Sequence, residues 1–166
     1  WRWMQTQEAK KDPDFAPQKV FDIIGYGKTA SSPVEAMPLK FLLKKDKSIM
    51  NRNKLLAVAE NLINEKKNGY KPPKKPIFKL SGNQVRDKMF QTLENLFKEK
   101  QLKEHGMVVG KKLAFVLSGG NTTIDKELSE DDMYALELEA FIQLIQMEKT
   151  QARIKHTLLT GKPLVN

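Results

Sequence analysis

Apolar residues recur every three or four positions along most of this chain, in segments closed off by caps, glycines and prolines. That spacing lays one apolar stripe along each of several helices, so the fold class is mainly α. Val20, Phe21, Ile23 and Ile24 follow Pro17, which suits a first helical position. Ser32-Pro33-Val34-Glu35 carries the residues of a capping box, and Pro38 keeps the helix behind it short. Residues 41–50 read as an extended connector with a turn near Lys45-Asp46. A longer helix starts near Asn53, sets Leu55, Leu56, Ala59, Leu62 and Ile63 on one face, and ends at Asn68-Gly69. Pro72, Pro73 and Pro76 then forbid helix, which leaves residues 71–80 as an extended crossing segment.

Ser81 and Gln84 repeat the capping-box pattern ahead of Val85, Met89, Leu93, Leu96 and Phe97. Val109, Leu113, Val116 and Leu117 mark the next helix, which Ser118-Gly119-Gly120 closes. Ser129-Glu130-Asp131-Asp132 opens another, with acids placed at the positive end of the helix dipole. Its expected buried stripe is Met133, Leu136, Ala140, Phe141, Leu144 and Ile145. A last helix begins near Thr150, packs Ile154 and Leu158, and stops at Gly161. These signals give about six or seven helices, little sheet and no solenoid repeat. Residues 1–166 are expected to form one helical unit, with 1–16 an irregular start.

Composition narrows the chemistry. The chain has 166 residues and no cysteine, which excludes disulfides, cysteine zinc sites, iron–sulfur clusters and thiol catalysis within it. Two histidines, His105 and His156, leave little material for a histidine metal site, so none is expected. No apolar run reaches the roughly 18–20 residues of a membrane-crossing helix, and a cytoplasmic location is the expectation. The net charge is +9, and it is uneven. Residues 51–117 hold 15 basic and 6 acidic side chains, while residues 118–166 hold 5 and 8. Such a basic stretch suits a phosphate-rich cofactor, a membrane surface or nucleic acid, or it is simply a solvated lysine surface.

No motif for catalysis stands out. Gly25-Tyr26-Gly27-Lys28 lacks the rest of a phosphate loop, and Gly119-Gly120 follows a helix rather than a strand, as a C-cap does. Glu137 and Glu139 are two apart on a helix and cannot work as a pair. Catalytic residues: none can be assigned by motif.

The stretch from Val109 through Ala114-Phe115-Val116-Leu117-Ser118-Gly119-Gly120, and the ending Lys149-Thr150-Gln151-Ala152-Arg153-Ile154-Lys155-His156 with Gly161-Lys162-Pro163-Leu164-Val165-Asn166, have a recognisable pattern. They resemble the C-terminal end of bacterial fused 3-hydroxyacyl-CoA dehydrogenase/enoyl-CoA hydratase proteins of fatty-acid β-oxidation. Ala30-Ser31-Ser32-Pro33-Val34-Glu35-Ala36 with Phe41-Leu42, and Gly69-Tyr70-Lys71-Pro72-Pro73, are similar to the crotonase-like part of those proteins. Lys40 departs from the pattern, which usually has glycine there. The resemblance implies the helical C-terminal portion of a crotonase-like α/β spiral domain. It also implies that the oxyanion donors and the glutamates that add water lie in an earlier half, ahead of Trp1.

The fragment is therefore expected to contribute to acyl-CoA binding and assembly and to be inactive alone. NAD and acyl-CoA are implied for the parent protein, with no cofactor held by this fragment. By place in the closing motif, Lys162 and then Lys155 are the expected contacts to CoA phosphates, and Phe141 is a candidate for lining the acyl pocket. The remainder of the parent chain is the expected partner, with self-association of the isolated piece. The alternative is a basic helical module that binds nucleic acid. The dominance of lysine over arginine, and the lack of interleaved aromatics, argue against it.

Overall fold

Val85, Met89 and Leu93 repeat at intervals of four on one face of helix α5 (Asn83–Lys98), and all three are buried. They pack against Ala114 of α6 (Glu104–Leu117) and Phe21 of α2 (Phe15–Gly25). Phe90, Leu102, Met107, Leu113 and Leu117 close the cluster from its edges. Gly110 lets α5 and α6 approach, because a Cβ there would stand 2.5 Å from Leu93 Cδ2. The computed structural model describes residues 1–166, and the chain is mainly helical, as its periodicity predicts. No helix is long and apolar enough to cross a membrane.

By its internal contacts the chain divides into two units, residues 1–28 with 76–166, and residues 29–75. The first unit opens on a short 3-10 turn, Trp3–Gln5, and helix α1 (Gln7–Lys11), capped by Thr6, so the start is helical rather than irregular. Trp3 meets Phe15 edge-on at 6.2 Å between ring centres, which folds the start onto α2. Strand β1 (Ile77–Lys79) pairs antiparallel with β2 (Glu127–Ser129), setting Phe78 opposite Leu128. Helices α7 (Glu130–Ile145) and α8 (Glu148–Thr160) follow, and Gly161 ends α8 in the left-handed region at φ 67°.

The second unit holds α3 (Pro33–Ala36), a 3-10 turn at Arg52–Lys54 and α4 (Leu55–Lys66). Asp46 accepts from the Leu43 amide at 2.9 Å, making the turn expected near Lys45-Asp46. Ala36 is its one buried residue.

Three local expectations are corrected. Ser81 and Gln84 do not cap α5, whose N-cap is Gly82; both side chains bond Asp14 instead. The Ser32 box is half-formed, because Glu35 accepts from Ser31 rather than from the Ser32 amide. Phe141 is 55% exposed and Leu158 81%, so neither belongs to a buried stripe.

Candidate functional site

Helices α5, α6 and α7 each present two residues one turn apart to a shared cleft of about 440 Å³. Arg86 and Phe90 come from α5, Lys111 and Phe115 from α6, and Glu139 and Gln143 from α7, with Lys112 and Ala140 completing the wall. A separation of four places both members of each pair on one helix face. Ala140 is buried where α7 meets α6, and its small side chain keeps the cleft open.

Cations and rings alternate around the walls. The Arg86 guanidinium lies 5.4 Å from the centre of the Phe115 ring, and Lys111 Nζ lies 5.5 Å from that of Phe90. Each ring face attracts the positive group above it and holds a long side chain in place. Arg86 also donates to the Gly120 carbonyl and to Asn121 Oδ1, both at 3.4 Å, and to Asn83. The Gly120 carbonyl is aimed there by the left-handed turn at Gly119 and Gly120, where φ is 81° and 64°. Lys112 donates to Gln143 Oε1, whose amide nitrogen donates to Glu139 Oε1 at 3.1 Å. Three cations thus face one carboxylate. The cleft can hold an anion, and its aromatic walls suit a flat ring.

The cleft gathers no nucleophile with a neighbouring base. No three His, Cys, Asp or Glu side chains cluster as metal ligands. The buried histidine is His105, whose Nε2 lies 2.8 Å from Thr150 Oγ1. Burial pushes its pKa down, and the nearby charges of Arg153 and Lys149 push the same way.

Residues singled out from sequence lie elsewhere. Phe141 follows Ala140 but points from a different face of α7. Lys155 borders an apolar groove of about 400 Å³ formed with Ile145, Gln151, Ile154, Leu158 and Leu159. Lys162 stands exposed just beyond Gly161. Much of the closing motif bonds to itself: Arg153 Nε donates to Asn166 Oδ1 at 2.8 Å, and Asn166 donates back to the Lys149 carbonyl at 3.1 Å. Sequence reasoning passed over Arg86, Phe90 and Gln143, and it met Lys112 only within the basic stretch and Phe115 only within the motif. The available signal was the pairing of a charge or amide with a ring or acid at intervals of four.

Over 156 residues, 93% of its length, the chain is 33% identical to a protein of Bacillus subtilis (strain 168) named probable 3-hydroxyacyl-CoA dehydrogenase. It spans about a fifth of that protein. No family model matches the chain, and no solved structure matches it.

Proposed function

We propose that this chain is the helical, non-catalytic part of a fatty-acid β-oxidation enzyme of the 3-hydroxyacyl-CoA dehydrogenase/enoyl-CoA hydratase kind. In this reading it belongs to the hydratase-like portion and binds acyl-CoA by its phosphorylated end. The observation that carries the binding role is the α5–α6–α7 cleft, where Arg86, Lys111 and Lys112 surround aromatic walls. CoA joins a purine ring to a phosphomonoester and a diphosphate, so a cationic, ring-lined cleft complements its chemistry. The similarity to the Bacillus subtilis protein supports the substrate class.

A second placement has its own support. The groove beside Lys155 is almost wholly apolar, so an acyl chain could lie there with its charged end turned toward Lys155 and Lys162 and Phe141 nearby on α7. Calorimetric titration of free CoA and of a short acyl-CoA separates the two. Reversing charge at Lys111 and Lys112 (K111E/K112E) should weaken free CoA binding by about tenfold or more, since each loses a charge-assisted contact. The pair K155E/K162E should then leave it nearly unchanged. The opposite pattern places the phosphates on α8, and undetectable CoA binding by the unsubstituted chain overturns both placements. Ultraviolet assay with a crotonyl thioester should show no hydration by this chain alone; turnover would overturn its non-catalytic role.

A further inference from the structure

Residues 29–75 hold 11 Lys and Arg against 4 Asp and Glu, a net of +7 out of the chain's +9. The same segment buries one residue, Ala36. Several of its apolar side chains are in the open: Leu56 is 72% exposed, Ile63 64% and Tyr70 66%. Folding has not sequestered them, although exposed leucine and isoleucine on one helix face cost hydration free energy.

The arrangement on α4 is more telling than the count. Leu55, Leu56, Ala59, Leu62 and Ile63 occupy one side, with Asn61, Asn64 and Glu65 away from it and Glu60 at its edge, one turn after Leu56. Lys66 and Lys67 stand on the apolar side, where they line an open groove with Leu62, Ile63 and Tyr70. Arg52 and Lys54 precede the helix, and Lys71, Lys74 and Lys75 follow it. Apolar surface in a segment where cations outnumber acids 11 to 4, with Lys66 and Lys67 at its border, complements an anionic lipid interface. The aliphatic groups enter the acyl boundary and the lysines reach the headgroup phosphates.

The exposed apolar stripe of α7 lacks that charge, and the α8 groove has only Lys155 in its lining. Tyr134, Leu138, Phe141 and Ile145 of α7 run beside Glu130 and Glu137, and the Glu130 carboxylate pushes the Tyr134 phenol up. Nucleic acid is a poorer fit to α4, because Tyr70 is the one ring beside Lys66 and Lys67 and the other groove-lining side chains are aliphatic. We propose that residues 29–75 dock on an anionic lipid surface, with α4 lying in the interface plane. This is independent of the CoA cleft, which lies in the other unit.

The test is co-sedimentation of the full chain with vesicles of phosphatidylglycerol and phosphatidylcholine, and with vesicles of phosphatidylcholine alone. Binding should be strong to the first, weak to the second, and reduced by salt. The variants L56D/I63D and K66E/K67E should each weaken it by about tenfold or more. Both pairs are solvent-exposed, and an unchanged circular dichroism melt would confirm that the fold is intact. Failure of the wild-type chain to sediment with anionic vesicles overturns the proposal. So does binding that L56D/I63D leaves unchanged, or retention on duplex DNA in its place. A vesicle-free oligomer that L56D/I63D abolishes would assign the face to a second copy and overturn it equally.

Discussion

Gly82 is the residue with the least freedom to change. Its φ of 57° lies in the left-handed region, and a Cβ there would fall 1.9 Å from the Thr122 carbonyl oxygen. Its amide donates to the Ser118 carbonyl at 3.1 Å, so the start of α5 is pinned against the turn that ends α6. Ala at this position meets backbone, which cannot swing aside as a side chain would. Gly82→Ala should therefore cost about 2 kcal/mol or more, read as a lower urea midpoint with unchanged slope. A midpoint within error of wild type would show that the turn relaxes freely. Sequence gave no warning of this, because a Ser-Gly-Asn run looks like any helix entrance until the Thr122 backbone is brought against it. Asp14 was hidden for the same reason, since its partners Ser81, Gln84 and Lys88 lie some seventy residues away.

Two serines, each followed three residues later by a side chain able to close a capping box, fold into different structures at the level of elements. Ser129 accepts from the Asp132 amide at 3.1 Å while the Asp132 carboxylate accepts from the Ser129 amide at 2.8 Å, a complete capping box for α7. Ser81 turns its hydroxyl to the buried Asp14 and caps nothing. Ser129→Ala should cost about 1 kcal/mol, the usual value of an N-cap. Ser81→Ala should cost about 1.5–3 kcal/mol, because it removes a hydrogen bond to a buried charge. The losses should also couple differently in double-mutant cycles with Asp14→Asn: Ser81→Ala non-additively, Ser129→Ala additively. Additivity at Ser81 would remove the Asp14 link. Local patterns thus located most helices, their ends and the left-handed closures at Gly69 and Gly161. They left open which partner a polar side chain chooses, and so the cleft, whose walls come from three helices, was read only in fragments.

For the whole molecule, two buried titratable groups shape how stability responds to acid, and the hydrogen-bonded Glu35 and Asp132, whose pKa values are also lowered, add to the more acidic part. His105 is held neutral by burial first and by the Arg153 and Lys149 charges next, so its folded pKa lies below the unfolded value of about 6.5. The unfolded chain then takes up a proton that the folded chain refuses, and stability falls as pH drops below about 6.5. Asp14 acts lower. Burial raises its pKa, but the hydrogen bonds from Lys88 and Ser81, the Lys88 charge and the Gln84 amide outweigh this, and the net shift is downward. Its contribution is complete above the ordinary carboxylate value of about 4 and is lost as pH falls through the folded pKa. Urea midpoints at pH 7.5, 5.5 and 3.5 should therefore decline in two legs. His105→Gln, which keeps a polar group near Thr150, should flatten the first leg and leave the second. Asp14→Asn should lower the midpoint at pH 7.5 and shrink the second leg. A first leg that survives His105→Gln would move that proton to another group, and the lone buried histidine would then be a packing residue only.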